Sequence, residues 1–469
     1  MTVRKQQLLR QHRRTKRRLL LAVFVGLLIL GLIAPLWLVP LVLLVLWIGH
    51  EAWFSDHLFY SPEDDYRYRF PEHVQRLSAQ ITDGCLQLTE EPAEDLQLHS
   101  ATLIAKIHIS SDRLGCWFDP SVSVGSDRQT FERGAQGIRY INLTGQADAL
   151  ISQGLALEGR FCTVAEAVQL YVFEQSSPVS EKVMILAPHA DDAELAAFGL
   201  YSSTENVSIV TLTQGEIEAQ HYQRLGLTQQ QAAQLKGRLR SWDSIAIALW
   251  GGVPQANCVQ LGYYCMQLAN MAKQPDMPFG SIESGETHTS NMRQHNSLDL
   301  PADETGLPTW NNLVADLAAC LMHFKPDVVV MPHPELDPHS DHIATGQAFY
   351  EALEHSDWRP QRLFLYANHL HDNDRWPMGN ANTGVPLPPA MVELPADELF
   401  SYVLDEQLQL DKAMALLMEH DLQTPPPLKR RLRRMIQQLL TGRRWPKTGE
   451  NEFLRKAVRK HELFWVRKL

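Results

Sequence analysis

Between Leu19 and Gly49 the chain runs for 31 residues without a charged side chain, LLLAVFVGLLILGLIAPLWLVPLVLLVLWIG. No helix of a soluble domain needs so long an apolar run, and a secretory signal core would be about half as long, so a membrane segment is expected over 19–49. One straight helix would be about 46 Å long against a hydrocarbon core of ~30 Å, while Pro35 and Pro40 offer a break into a hairpin with short arms. Residues 1–18 carry eight Lys/Arg and no acid, which assigns a basic N-terminus to the cytoplasmic side. From Lys429 to Lys468 fourteen basic residues face three acids, and removing both ends leaves 21 basic against 51 acidic residues, a net charge of −30. Basic ends on an acidic body favour an anionic lipid surface over nucleic acid. The expected location is a bacterial-type inner membrane, with the catalytic part on its cytoplasmic side.

Beyond the apolar run, ATLIAKIHIS, CWFDPSVSV, IRYINLTG and AVQLYVFE are β-branched and aromatic runs separated by Gly, Ser, Asp and Pro. They predict a β-sandwich-like domain over 60–175 whose role the sequence does not disclose. After a linker-like EQSSPVSEK, the text changes to strand–helix alternation: KVMILA then DAELAAFGLYSS, VSIVTLTQGE then a long helix, KPDVVVMPHP then SDHIATGQAFYEALEH. Continuous Val/Ile-rich strands belong to sheets covered on both faces, so 180–425 is expected to be an α/β domain with a doubly wound, mostly parallel sheet. Residues 426–469 read as a basic helical tail. The six cysteines are scattered without a C-x-x-C pair and carry neither a zinc-finger nor a redox motif.

Ligands of such sheets gather at the carboxyl ends of the strands. VMILAPHADDAEL places His189, Asp191 and Asp192 at such an end, where a helix begins. Capping explains one aspartate, but two adjacent carboxylates beside a histidine ask for a cation, and His189 and Asp192 are spaced to face one ion across a tight turn. VVVMPHPELDPHSDH repeats the arrangement with His333, Glu335, Asp337, His339, Asp341 and His342. If His342 reaches the same crevice, two imidazoles and a carboxylate form the donor set of a catalytic zinc site.

APHADDAEL, TLTQGE and PHSDH resemble the PIG-L/LmbE family of zinc-dependent N-acetylglucosamine de-N-acetylases, over about 180–370. Ala190 departs from the proline usual there, but that position contributes no ligand. The resemblance implies an LmbE-like fold and Zn2+ held by His189, Asp192 and His342, with Asp191 as general base. It also implies that His339 stabilises the oxyanion, while Asp341 orients His339 and favours its protonated form. Arg240 corresponds to a substrate-contacting arginine, with Arg238 an equal rival in register, and Glu216 is a second candidate for the substrate pocket. The implied activity is removal of an N-acetyl group from an N-acetylglucosamine-type sugar, and membrane attachment would favour a lipid-linked or envelope glycan such as lipopolysaccharide core. A metallohydrolase of another amide or ester, or a non-catalytic glycan-binding scaffold, are the alternatives. Asp191 speaks against the scaffold, which has no need of an unliganded base.

Overall fold

The computed structural model describes residues 3–33, 35, 37–55, 62–370, 373, 375–390, 394–423, 426–449 and 451–469. The expected domain limits at 60 and 425, and the first two residues of the basic N-terminus, lie outside these. The apolar run is not one element. Helix α1 (Val3–Ile33) spends its first half on the basic residues, and α2 (Leu38–Trp53) starts only after Pro35, whose carbonyl accepts the Leu38 N–H at 2.9 Å. At 16 residues, α2 spans about 24 Å, short of a ~30 Å hydrocarbon core. Among the described residues no helix is long and apolar enough to cross a membrane. This overturns the expected membrane segment and the inner-membrane location that rested on it.

The β-rich region holds strands β1 (Gln75–Thr82), β2 (Cys85–Leu88), β3 (Thr102–Ser111), β4 (Ser121–Val124), β5 (Asp127–Thr130) and β6 (Gln136–Asn142). After a short helix α3 (Ala147–Ser152) come β7 (Leu155–Arg160), β8 (Cys162–Val164) and β9 (Ala167–Phe173). They form one antiparallel sheet in the order β5-β4-β7-β2-β1-β9-β3-β6, with β8 on β3. Its two ends meet, because Gln129 on β5 donates to the Asn142 carbonyl at 2.6 Å and accepts the Asn142 N–H at 2.9 Å. The expected sandwich is therefore a single sheet rolled around one core that includes Leu103, Ile107, Val122 and Leu170.

The second sheet starts with β10 (Lys182–Ala187), followed by α4 (Asp192–Ser202), β11 (Asn206–Thr213), α5 (Gln229–Trp250) and β12 (Cys258–Tyr263). Helices α6 (Leu268–Lys273), α7 (Ser290–Arg293) and α8 (Trp310–Phe324) lead to β13 (Val328–Pro332), α9 (Ser340–Glu354) and β14 (Arg362–Tyr366). The chain closes with β15 (Glu398–Val403), α10 (Glu406–Met418), α11 (Leu428–Thr441), α12 (Glu452–Ala457) and β16 (His461–Lys468). The strand order is β12-β11-β10-β13-β14-β16-β15, parallel through β14 and antiparallel at β16 and β15. Val183, Ile185 and Ala187 enter one core and Met184 and Leu186 the other, as the period-two alternation of a doubly covered strand requires. The second of these cores also takes in Ile104, Tyr140 and Phe173, so the rolled sheet packs directly on the α/β unit. The tail is not wholly helical: β16 is buried along most of its length and sits between β14 and β15.

Candidate active site

The chain leaves β10 for β11 on one side and returns through β13 on the other, so strand order reverses between β10 and β13. The turn after β10 carries His189 and Asp192, and the turn after β13 carries His339, Asp341 and His342. Both open on the crevice where such sheets bind ligands.

Three donor atoms converge there. His189 Nδ1 lies 3.0 Å from Asp192 Oδ2, and His342 Nε2 lies 3.1 Å from that oxygen and 3.4 Å from His189 Nδ1. Ligands ~2.0–2.1 Å from a tetrahedral zinc are separated by about 3.3 Å, so the triangle has the size an ion demands. Each donor is held from behind. His342 Nδ1 sits 2.9 Å from Asp337 Oδ2, leaving Nε2 bare towards the triangle. Asn368 Nδ2 donates to Asp192 Oδ1 at 2.8 Å, and His189 Nε2 lies 3.3 Å from Asp341 Oδ2. Such outer partners fix ligand tautomer and orientation. Further donors crowd the site: His339 joins His189 and His342, His369 joins Asp192 and His342, and Cys265 joins His189 and Asp341.

The charges follow from this packing. Burial lowers the His342 pKa, but Asp192 and Asp337 outweigh it and raise it to about 9. Burial likewise opposes charge on His189 and Asp192, yet their mutual contact and their neighbours raise the first and depress the second. His339 goes the other way, down to about 4, through burial and the positive neighbours His189 and His342.

Asp191 stands beside the triangle and outside it. It occupies the N-cap position of α4, but its side chain makes no cap bond. Arg240 Nη2 holds its Oδ1 at 2.9 Å, and Nη1 of the same guanidinium reaches Glu419 Oε2 at 3.2 Å and Asp421 Oδ2 at 3.5 Å. Gly215 permits this approach: its φ is +67°, and a Cβ there would lie 2.9 Å from Arg240 Nε. Asp191 lines a cleft of about 600 Å³ whose far wall comes from the tail, through Pro427, Arg430 and Phe453.

Three expectations change. Arg240 is 2% exposed and committed to carboxylates, so it positions Asp191 and does not present itself to a substrate. Glu216 is fully buried, its carboxylate taken by the Ser281 hydroxyl at 2.9 Å and the Cys265 N–H at 3.3 Å, so it ties loops together behind the site. The Asp341 carboxylate turns to His189 and to the Met266 N–H at 2.8 Å, and only its backbone N–H meets His339, at Nδ1. Its charge still favours a protonated His339, but burial and the positive His189 and His342 outweigh it. Asn368 had only its place after the apolar run LFLYA to mark it, and Glu419 had no motif at all. Asp337 stood inside the second motif, five residues before His342, a spacing that says nothing of which ring nitrogen it meets.

Residues 184–353 match the model of the PIG-L family, described as GlcNAc-PI de-N-acetylase. No curated protein sequence matches the chain. Among solved structures, the chain is similar to an N,N'-diacetylchitobiose deacetylase from Pyrococcus horikoshii at 15% identity, covering 62% of this chain and 84% of that one, with a TM-score of 0.33. It is similar to the zinc-inhibited form of a teicoplanin deacetylase at 17% identity, covering 61% and 98%, TM-score 0.34. It is also similar to a 4-carboxy-2-hydroxymuconate hydratase from Pseudomonas putida at 14% identity, covering 55% and 84%, TM-score 0.30. Likenesses this distant carry no argument about activity. The match to the PIG-L family model, over residues 184–353, takes in both strand–helix turns of the site.

Proposed function

We propose that the protein is a zinc-dependent hydrolase that removes the N-acetyl group from an N-acetylglucosamine-type sugar. The observation that supports this best is the division of labour between adjacent aspartates: Asp192 closes a donor triangle with His189 and His342, while Asp191 is kept out of it by Arg240. Two imidazoles and one carboxylate suit zinc, which would supply Lewis acidity for the acetyl carbonyl and lower the pKa of a water there. Asp191, lining the cleft, takes the proton from the attacking water and passes it to the amine nitrogen as the C–N bond breaks, which leaves acetate and a free amine. His339 Nδ1 accepts the Asp341 N–H at 3.3 Å, so a neutral His339 keeps its Nε2 proton to donate to the oxyanion. The lipid-linked acceptor rested on the expected membrane segment and has no other support.

The test is acetate release from N-acetylglucosaminyl oligosaccharides by purified wild type, chelator-treated protein and Asp191→Asn. Release should vanish with chelator and return with zinc. It should fall by about 10²–10⁴ in Asp191→Asn while zinc stays bound. No release from any N-acetylated sugar by the zinc-loaded protein overturns the proposal.

A further inference from the structure

Helix α5 is apolar on both sides. On its packed side Ala233, Ile245, Ile247 and Ala248 are buried, and Lys236 and Arg240 reach the Asp191 cleft. The other side faces solvent, where a helix is ordinarily polar. Between Leu235 and Trp250, however, the exposed side chains are Arg238, Trp242, Leu249 and Trp250, and only the first is polar; the half-buried Leu235, Leu239 and Ala246 lie among them. Among the described residues, none of these apolar side chains joins a buried core. Trp242 meets the His295 ring edge-on at 5.5 Å and is still 50% exposed, with Leu249 at 45% and Trp250 at 52%. A lone exposed apolar residue is ordinary, but a continuous stripe marks a docking face.

The spacing of the stripe says what docks. Leu235, Leu239, Trp242, Ala246 and Leu249 recur at steps of four, three, four and three, the seam that packs against another α-helix. The seam also complements itself. Laid antiparallel on a second copy, with the twofold axis level with Ser244, Trp242 stands opposite Ala246 and Leu239 opposite Leu249, so each indole faces a methyl group. A parallel pair would instead set Trp242 on Trp242 and Arg238 on Arg238. In the antiparallel pair the two Arg238 residues are about 18 Å apart along the axis, beyond the ~8 Å reach of a screened charge.

We infer that a second copy of this chain docks on the outer face of α5, giving a twofold dimer through an antiparallel α5–α5 seam. The inference is independent of the deacetylase proposal, since the seam and the Asp191 cleft lie on opposite sides of the helix. Trp242 is the anchor, a large aromatic side chain near the centre of the interface with a small residue opposite. A face built on one helix pair lies at the low end of specific interfaces, about 1,000–1,200 Å² in all, so the dimer is expected at micromolar and not at nanomolar protein.

The test is sedimentation velocity of the full-length protein across the nanomolar to micromolar range. The species expected at the upper end has twice the 53.3 kDa chain mass. Ala246→Glu and Leu249→Glu each put a carboxylate into the seam and should weaken the dimer by about tenfold or more. Ile151→Glu, at a residue 48% exposed on α3 of the rolled sheet, should leave it unchanged, and circular dichroism verifies that each variant is folded. Register is read by oxidative cross-linking in a Cys116→Ser background, which removes the exposed native thiol. Leu239→Cys and Leu249→Cys proteins should cross-link to each other on mixing, and neither to itself. A monomer throughout, a dimer that both glutamate variants leave intact, no cross-link in the mixture, or a Leu239→Cys protein that cross-links to itself overturns the proposal.

Discussion

Replacing Arg240 by methionine separates a positioning arginine from a substrate-binding one. The guanidinium is buried with Asp191 at 2.9 Å and with Glu419, which is fully buried, at 3.2 Å; Asp421, with 31% of its side chain exposed, is a weaker third partner. Removing one member of a buried ion pair costs about 3–5 kcal/mol, because the other charge is left uncompensated. Glu419 has an escape. Its pKa is already raised, by burial first and by Asp191 and Glu194 as further negative neighbours, with Arg240 the opposing influence. Without Arg240 it takes up a proton that the unfolded chain would release. Stability then holds below the unfolded carboxyl pKa of ~4.3 and declines as pH rises towards the folded value, by up to ~1.4 kcal/mol per unit. Urea unfolding at pH 5, 6.5 and 8 should therefore show Arg240→Met losing about 3 kcal/mol or more at pH 8 and distinctly less at pH 5. In deacetylation assays kcat should fall by about 10²-fold, the effect of a catalytic group misplaced by ~1 Å, with KM little changed. A variant as stable as wild type at all three pH values, with only KM raised, would refute this account and return Arg240 to the substrate.

Asp337→Asn removes the acceptor behind His342 Nδ1, so zinc affinity should fall by about 10–100-fold in chelator competition while the circular dichroism spectrum is kept. Lys412→Met should destabilise by about 3–5 kcal/mol in denaturant titration, since it strands Glu462, 2.7 Å from Lys412 Nζ with both side chains 1% exposed. Glu216→Gln should leave the KM for the N-acetylated sugar within about twofold of wild type, because its carboxylate meets only Ser281 and Cys265; a large rise in KM would restore it to the substrate pocket.

What the sequence disclosed was local. KVMILA and DVVVMP are continuous apolar runs ending in polar turns, and strand, turn and helix are fixed there by neighbours in the chain. What it concealed was settled at a distance. HELFWVRK reads as an extension of a basic helical region, yet Phe464 and Trp465 are buried between β14 and β15. Summed hydropathy over 19–49 ignores that Pro35 divides the run into stretches too short to span. The rolled sheet closes through Gln129 and Asn142, which no strand pattern pairs. Asp341 has a partner that adjacency hides: two residues after His339, its carboxylate also meets His189, 152 positions earlier.

The family segment ends at 353, but the site does not. Asn368, which holds Asp192 Oδ1, follows β14, and Glu419, which shares Arg240 with Asp191, follows α10. The link from β16 is structural. Helix α4, whose first residue is Asp192, kinks at Ala197, where φ is −142° and ψ is 17°. Past the kink, the N–H groups of Gly199 and Leu200 are received by the Glu462 carboxylate at 2.8 and 2.9 Å. Glu462 is in turn neutralised by Lys412, which also donates to the Leu195 carbonyl at 3.0 Å. The C-terminal strand therefore sets the course of the helix that presents a candidate metal ligand. Basic though it is, the tail belongs to the second sheet first, because β16 lies between β14 and β15.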